Sequence, residues 1–302
     1  LPHGAYFGAA GVLCTQLAEP GKASRDMCLM VAGMTIANLA GVPLASFLAW
    51  AVSWRAAFAI AAAAALITFA AIRITVPKVP ALPDSGFAAQ FRFLRSLEPW
   101  LVLGAIGLGN GGFFAYYSYV NPVMEHVAAV PASMMSVVIT LAGAGMVLGN
   151  LFCAKISSSF SDESLAAAAG QGVLLLSLAS VFFLAHWSPA AIALTTLAAG
   201  CVFFISGPEQ VLMIRNAKEG QLLAASLAQV SFNAGNAVGA WLGGLPIDAG
   251  KAANWAAMPG FFLALAGFGL LFVNWLIHRV REEERTAGRI AALKDQIQSK
   301  AP

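Results

Sequence analysis

Residues 100–122 read WLVLGAIGLGNGGFFAYYSYVNP, a stretch without a single Asp, Glu, Lys or Arg. A helix needs about 20 apolar residues to cross the hydrocarbon core of a bilayer, so this stretch is long enough to do so. Similar runs recur along the chain, and they lack the strict alternation of polar and apolar residues found in membrane β-barrels. We predict an all-α, polytopic membrane helix bundle with nine transmembrane helices. The predicted spans are residues 1–18, 27–50, 55–76, 100–122, 132–156, 164–185, 189–212, 221–247 and 254–278.

The composition of the whole chain also indicates a membrane protein. Hydrophobic residues make up 59% of the 302 residues and charged residues only 10%, whereas a soluble domain carries about 25% charged residues. So few charges cannot build a water-facing surface, and the lipid bilayer is the expected surrounding. The net charge of +3 is too small to indicate a nucleic-acid partner, and we expect none.

The four cysteines lie in or beside apolar runs and have neither the spacing of a metal site nor that of a disulfide framework. We therefore predict lone buried thiols, with no disulfide, no metal and no cofactor. These cysteines are Cys14, Cys28, Cys153 and Cys201.

The positions of the basic residues predict the orientation of the spans. With nine spans, all 17 lysines and arginines except Arg55 and Lys251 fall on one side of the membrane. Basic residues accumulate on the cytoplasmic side, so we predict a cytoplasmic tail at residues 279–302 and a cytoplasmic segment at residues 77–99.

The odd number of spans predicts a particular domain organisation. An exterior start would require three further helices before residue 1 to complete a parent of two six-helix halves. Residues 1–76 would then be the remainder of the N-terminal half and residues 77–99 the linker between the halves. Residues 100–278 would form the C-terminal half, followed by the tail at residues 279–302.

Five short patterns point to one family by their order and spacing. They read LPHGAYFG at residues 1–8, GMTIANLAGVP at 33–43, WRAAF at 54–58, YYSYVNP at 116–122 and NAGNAVGAWLGG at 233–244. Together they resemble the major facilitator superfamily, and more narrowly the arabinose-efflux-permease-like branch of its twelve-helix drug:proton antiporters. The resemblance covers about residues 1–280, which are similar to helices four to twelve of that family.

The resemblance implies a secondary active transporter with one central site that is reached alternately from either side of the membrane. It implies export of a small molecule, such as a sugar, a nucleoside or a drug-like solute, in exchange for protons. It also implies a monomer in the bacterial inner membrane, and a protein that is not an enzyme. Two alternatives remain: a truncated, inactive relic of such a transporter, and an integral-membrane enzyme.

Polar and aromatic residues inside the spans are the candidates for the substrate cavity, because an amide in hydrocarbon needs a partner or a water-lined space. On the span at 221–247, three amides share one face, while Gly235, Gly239 and Gly243 form a small-residue stripe suited to helix packing. For Asn38 the alternative is an interhelical hydrogen bond. The predicted cavity residues are Asn38, Asn110, Phe113, Tyr117, Gln229, Asn233 and Asn236.

Gly33, Gly41 and Pro43 belong to the pattern that resembles the glycine-proline motif of the family's fifth helix. Small residues permit close helix contact, and a proline bends a membrane helix. We predict that these three residues form a hinge and a leak-tight seam during transport; simple packing is the alternative.

Glu209 follows Gly207 and Pro208 and is the carboxylate that lies clearly inside a predicted span. Acidic residues within the membrane are candidates for functional sites, so Glu209 is the possible proton-coupling residue. The alternative is an ion pair with Arg215, six residues further along the chain.

Overall fold

The computed structural model is 88% helical, and no strand occurs in the residues that it describes. These are residues 2–41, 44, 45, 48, 51–79, 86–156, 159, 160, 162–217 and 220–299. The long helices of this part are α1 (Pro2–Leu17), α2 (Ala23–Ile36), α3 (Trp54–Thr75), α4 (Glu98–Tyr117), α5 (Met135–Ile156), α6 (Glu163–Leu184), α7 (Ser188–Asn216), α8 (Gln221–Asp248) and α9 (Ala257–Ser299). The prediction of an all-α polytopic bundle is confirmed.

Each long helix overlaps one predicted span, and five helices of the described part are long and apolar enough by themselves to cross a membrane. Those five are Trp54–Thr75, Ala132–Ile156, Glu163–Leu184, Ser188–Asn216 and Ala253–Arg281. Helix α8 is different in character, since amides and glycines interrupt its apolar residues. Such residues suit contacts with other helices or with a polar cavity better than contact with lipid.

Helices α4 and α7 form the centre of the bundle. Helix α4 packs mainly against α8 and α9, while α7 packs against α5 and α6. Helices α1 and α2 join this group through contacts of α1 with α8 and of α2 with α5 and α7. No residue of α3 is buried against the described part of the chain.

The glycine stripe of α8 forms one of the closest helix contacts of the described bundle core. Gly235 and Gly239 lie directly on the backbone carbonyls of Gly107 and Gly111 of α4. A Cβ atom added at Gly111 would lie 2.7 Å from the carbonyl oxygen of Gly235, which is well inside van der Waals contact. Only glycine lets the two backbones come this close, so the stripe fixes how α4 and α8 are aligned.

The prediction of four lone thiols is wrong for two of the cysteines. A disulfide joins Cys28 of α2 to Cys153 of α5, with Cα atoms 6.3 Å apart. The two residues are 125 positions apart in the sequence, and only the packing of α2 against α5 brings them together. Cys14 and Cys201 are free.

Candidate functional site

A small cavity of about 170 Å³ lies among helices α1, α2, α4, α7 and α8. Polar side chains of α7 and α8 line it together with aromatic side chains. Its lining consists of Phe7, Val31, Met34, Ile106, Val202, Phe203, Ser206, Glu209, Gln210, Ala228, Gln229, Phe232 and Asn233. The cavity therefore combines one carboxyl group, several hydrogen-bonding groups and apolar faces in one place.

A larger groove of about 1070 Å³ runs between α5, α6 and α7, but its chemistry differs. Its lining is almost entirely apolar and includes the exposed side chains of Leu148 and Phe152. Side chains of this kind suit the acyl chains of lipids. We therefore place the candidate functional site in the smaller cavity, whose lining is the more polar of the two.

Glu209 is the one charged residue in the cavity lining, and its side chain is only 2% exposed. Its Oε1 atom has no hydrogen-bond partner. The side-chain amide of Asn110, on α4, lies close enough to interact with the carboxyl group, and it also donates a hydrogen bond of 2.8 Å to the carbonyl oxygen of Ile106. Pro208 stands just before Glu209 inside α7 and interrupts the regular helical hydrogen bonding there.

The alternative partner that the sequence offered for Glu209 is occupied elsewhere. Arg215 forms an ion pair of 2.5 Å with Glu163 at the start of α6. The ion pair between Glu209 and Arg215 is therefore not formed. The Glu209 carboxyl group remains buried in the cavity wall without a basic partner among the described residues that line it.

The three predicted amides of α8 do not all line the cavity. Gln229 and Asn233 line it, one helical turn apart. Asn236 lies outside the lining, and its Oδ1 atom is buried without a hydrogen-bond partner. Two of the three amides therefore line the cavity, and Asn236 does not.

The predicted aromatic residues of α4 lie behind the cavity wall. Phe113 is fully buried and stacks on Tyr117 with ring centroids 4.7 Å apart. Phe114 contacts both rings edge-on and reaches Phe232 of the lining at 6.1 Å. Phe113 and Tyr117 thus support the cavity through Phe114 and Phe232 instead of lining it.

The glycine-proline motif has an irregular backbone, and neither of its two glycines packs closely on a described helix. A π-helical turn at Ala37–Gly41 follows α2, and it includes the backbone of Asn38. A Cβ atom added at Gly33 or Gly41 would meet nothing within 4 Å, so neither glycine contacts a described helix closely. Pro43 and the side chain of Asn38 lie outside the described residues.

Sequence reasoning missed several cavity residues that surround Glu209. Ser206 and Gln210 precede and follow it on α7, and Gln210 donates a hydrogen bond of 3.4 Å to the carbonyl oxygen of Ala225. Their polar character inside an apolar span was a usable signal. Phe7 and Phe203 gave no such signal, because an aromatic residue in a membrane helix is ordinarily part of the packing.

Comparison with known proteins gives a consistent result. The family model described as Major Facilitator Superfamily matches residues 1–222. The chain is 36% identical over 272 residues to AraJ of Escherichia coli (strain K12), a protein named as a transporter, covering 90% of this chain and 69% of that protein. It is 29% identical over 277 residues to the inner membrane transport protein YdhP of the same strain, covering 90% and 69%. It is 27% identical over 269 residues to the uncharacterized MFS-type transporter YfhI of Bacillus subtilis (strain 168), covering 89% and 67%.

Proposed function

Because the chain belongs to the major facilitator superfamily, in its arabinose-efflux-permease-like branch, we propose that it exports a small solute in exchange for protons. The chain is a multi-pass membrane transporter. The direction of transport, the coupling ion and the solute are parts of the proposal. So are its location in a bacterial inner membrane, its cytoplasmic C-terminus and its action as a monomer.

The observation that carries the proposal is the buried carboxyl group of Glu209. It lies in a cavity wall with a free Oε1 atom and with no basic partner among the residues that the structure describes. A lone carboxylate inside a membrane protein is costly, and binding a proton removes the buried charge. A group of this kind can take up a proton when the cavity faces one side of the membrane and release it on the other side.

The position of the cavity supports alternating access. Its lining comes from α1 and α2, which precede the predicted linker at residues 77–99, and from α4, α7 and α8, which follow it. In transporters of this architecture the central site lies between two halves that rock against each other. A proton on Glu209 would therefore be carried at the surface along which the halves move.

The lining also supports a small solute with both polar and apolar parts. The hydroxyl of Ser206 and the amides of Gln229 and Asn233 can donate and accept hydrogen bonds, while Phe7 and Phe232 offer apolar faces. The volume of about 170 Å³ is below the roughly 300–1,000 Å³ of typical ligand pockets. We propose a solute such as a sugar or a nucleoside, or a drug-like molecule of similar size.

Transport assays in inverted membrane vesicles test this function. The full-length protein should accumulate at least one member of a panel of sugars, nucleosides and drug-like solutes when a pH gradient, acidic inside, is imposed. The matched variants are Glu209→Gln and Glu125→Gln, since Glu125 lies exposed in the short π-helix Val123–Val127. We expect the first variant to lose gradient-driven accumulation and the second to retain it. Accumulation of no solute, or equal accumulation by the Glu209→Gln variant, would contradict the proposal.

A further inference from the structure

Helix α2, which precedes the predicted linker at residues 77–99, packs against helix α5, which follows it. We call this contact the seam. The disulfide between Cys28 and Cys153 lies at one end of this seam. Asn150 of α5 donates a hydrogen bond of 3.3 Å to the hydroxyl of Thr35 of α2. The helices run antiparallel, because residue numbers rise along α2 as they fall along α5.

The packing of three helices holds the two cysteines in place. Both are fully buried, and their Cα atoms are 6.3 Å apart, within the range of about 4.4–6.8 Å that a disulfide requires. Gly207 of α7 lies directly against the Cys28 sulfur, so a side chain at that position would collide with it. The pair is therefore built into the packed seam and is not a chance approach of mobile groups.

The neighbouring charges indicate which end of the seam carries the pair. Cys28 lies one turn after Arg25 at the beginning of α2, and Cys153 lies two residues before Lys155 at the end of α5. Both basic residues belong to the side predicted as cytoplasmic by the distribution of lysine and arginine. The pair thus lies near the cytoplasmic ends of two helices that belong to different predicted halves.

We propose that Cys28 and Cys153 form a redox-operated tether that switches transport off. As thiols they allow the cytoplasmic ends of α2 and α5 to separate, and as a disulfide they hold these ends together. A disulfide cannot extend its Cα–Cα distance much beyond about 7 Å, whereas opening of the central site requires the halves to rock apart. This inference rests on the proposed transport by alternating access.

The chemistry of the switch balances with hydrogen peroxide as the oxidant. The peroxide converts one thiol to a sulfenic acid and leaves as water; the second thiol then attacks the sulfenic sulfur, forming the S–S bond and releasing a second water. Two electrons pass from the two sulfurs to the peroxide. A thiol reductant reverses the reaction by thiol–disulfide exchange, and the cytoplasm normally keeps such pairs reduced.

Burial adds a condition to this chemistry. Both sulfurs are shielded while the seam is closed, so an oxidant in the cytoplasm reaches them when the seam opens. Oxidation should therefore be faster in protein that is transporting solute than in idle protein. The disulfide would then form in protein molecules that have recently passed through the cytoplasm-facing form.

The test uses the full-length protein with every cysteine other than the seam pair replaced by serine, including Cys14 and Cys201. A protease site placed between residues 79 and 86 allows the two halves to be cut apart after treatment with hydrogen peroxide. On a non-reducing gel the fragments should stay joined, and dithiothreitol should separate them. Solute accumulation in inverted vesicles should be lost with peroxide and return with dithiothreitol, while Cys28→Ser and Cys153→Ser variants should accumulate solute with or without peroxide.

The gel and the accumulation assay together distinguish failure of the tether from failure of the proposed transport function. Fragments that separate after peroxide during transport would show that the pair does not form, and the tether would be refuted. Joined fragments with undiminished accumulation would also refute it, because the disulfide would not restrict transport. If the reduced protein accumulates no solute, the proposed function fails and the regulatory role fails with it, while the gel still reports whether the disulfide forms.

Discussion

At the scale of single residues, the carboxyl group of Glu209 decides how the site is interpreted. The sequence offered two roles for it, one in proton coupling and one in an ion pair with Arg215. The structure removes the second, since Arg215 contacts Glu163 at 2.5 Å. A buried carboxyl group without a basic partner can serve in a proton-binding role that a structural ion pair would not allow.

Arg215→Gln should therefore leave proton coupling intact. The ion pair of Arg215 with Glu163 is half-exposed on the arginine side, and pairs of this kind contribute about 0–1 kcal/mol. We expect a small decrease in thermal stability and an unchanged dependence of solute accumulation on the pH gradient. Loss of gradient dependence, as expected for Glu209→Gln, would mean that Arg215 acts on the carboxyl group after all.

At the scale of helices, the contact between α4 and α8 carries the architecture around the cavity. Gly107 and Gly111 face Gly235 and Gly239 with backbone against backbone. The cavity residues Gln229 and Asn233 stand on the same helix as the stripe. The alignment of α8 on α4 therefore sets the positions of the cavity amides.

Gly239→Leu should disturb this contact strongly. A side chain at Gly239 would collide with the Gly111 carbonyl, and overpacking of this kind costs about 1–3 kcal/mol. We expect a lower melting temperature in detergent together with reduced solute accumulation. Gly269→Leu on α9 is the matched control, because nothing lies within 4 Å of a Cβ atom there. Equal effects of the two substitutions would contradict the role given to the glycine stripe of α8.

The two helix contacts differ in how far the sequence could predict them. The spacing of Gly235, Gly239 and Gly243 on one face is a local property, so the packing face of α8 was predictable. The pairing of Cys28 with Cys153 was not, because nothing local to either residue signals a partner 125 positions away. The partner of Arg215 was missed for the same reason.

At the scale of the whole molecule, the helical membrane fold was predictable because the apolar composition of each span can be read from that span alone. The positions of Glu209, Gln229 and Asn233 within their spans were also visible in the sequence. Their meeting in one cavity depends on how α7 and α8 pack, which no local pattern contains. The orientation in the membrane remains a prediction from the lysine and arginine positions.

Cysteine labelling tests this orientation. In a variant from which all native cysteines have been removed, Lys78→Cys should react with a membrane-impermeant maleimide only in inverted vesicles. Lys251→Cys, placed after α8, should react only in intact cells, because the two residues lie on opposite predicted sides of the membrane. Labelling of Lys78→Cys in intact cells would overturn the orientation and the direction of transport that depends on it.

The most direct test of the central claim is proton release on solute binding. Purified full-length protein is held in a weakly buffered solution with a pH indicator, and a solute identified in the vesicle assay is added. We predict that the wild-type protein releases protons as the solute binds and that the Glu209→Gln variant binds the solute without releasing them. Equal proton release by both proteins would contradict the assignment of Glu209 as the group that links proton and solute.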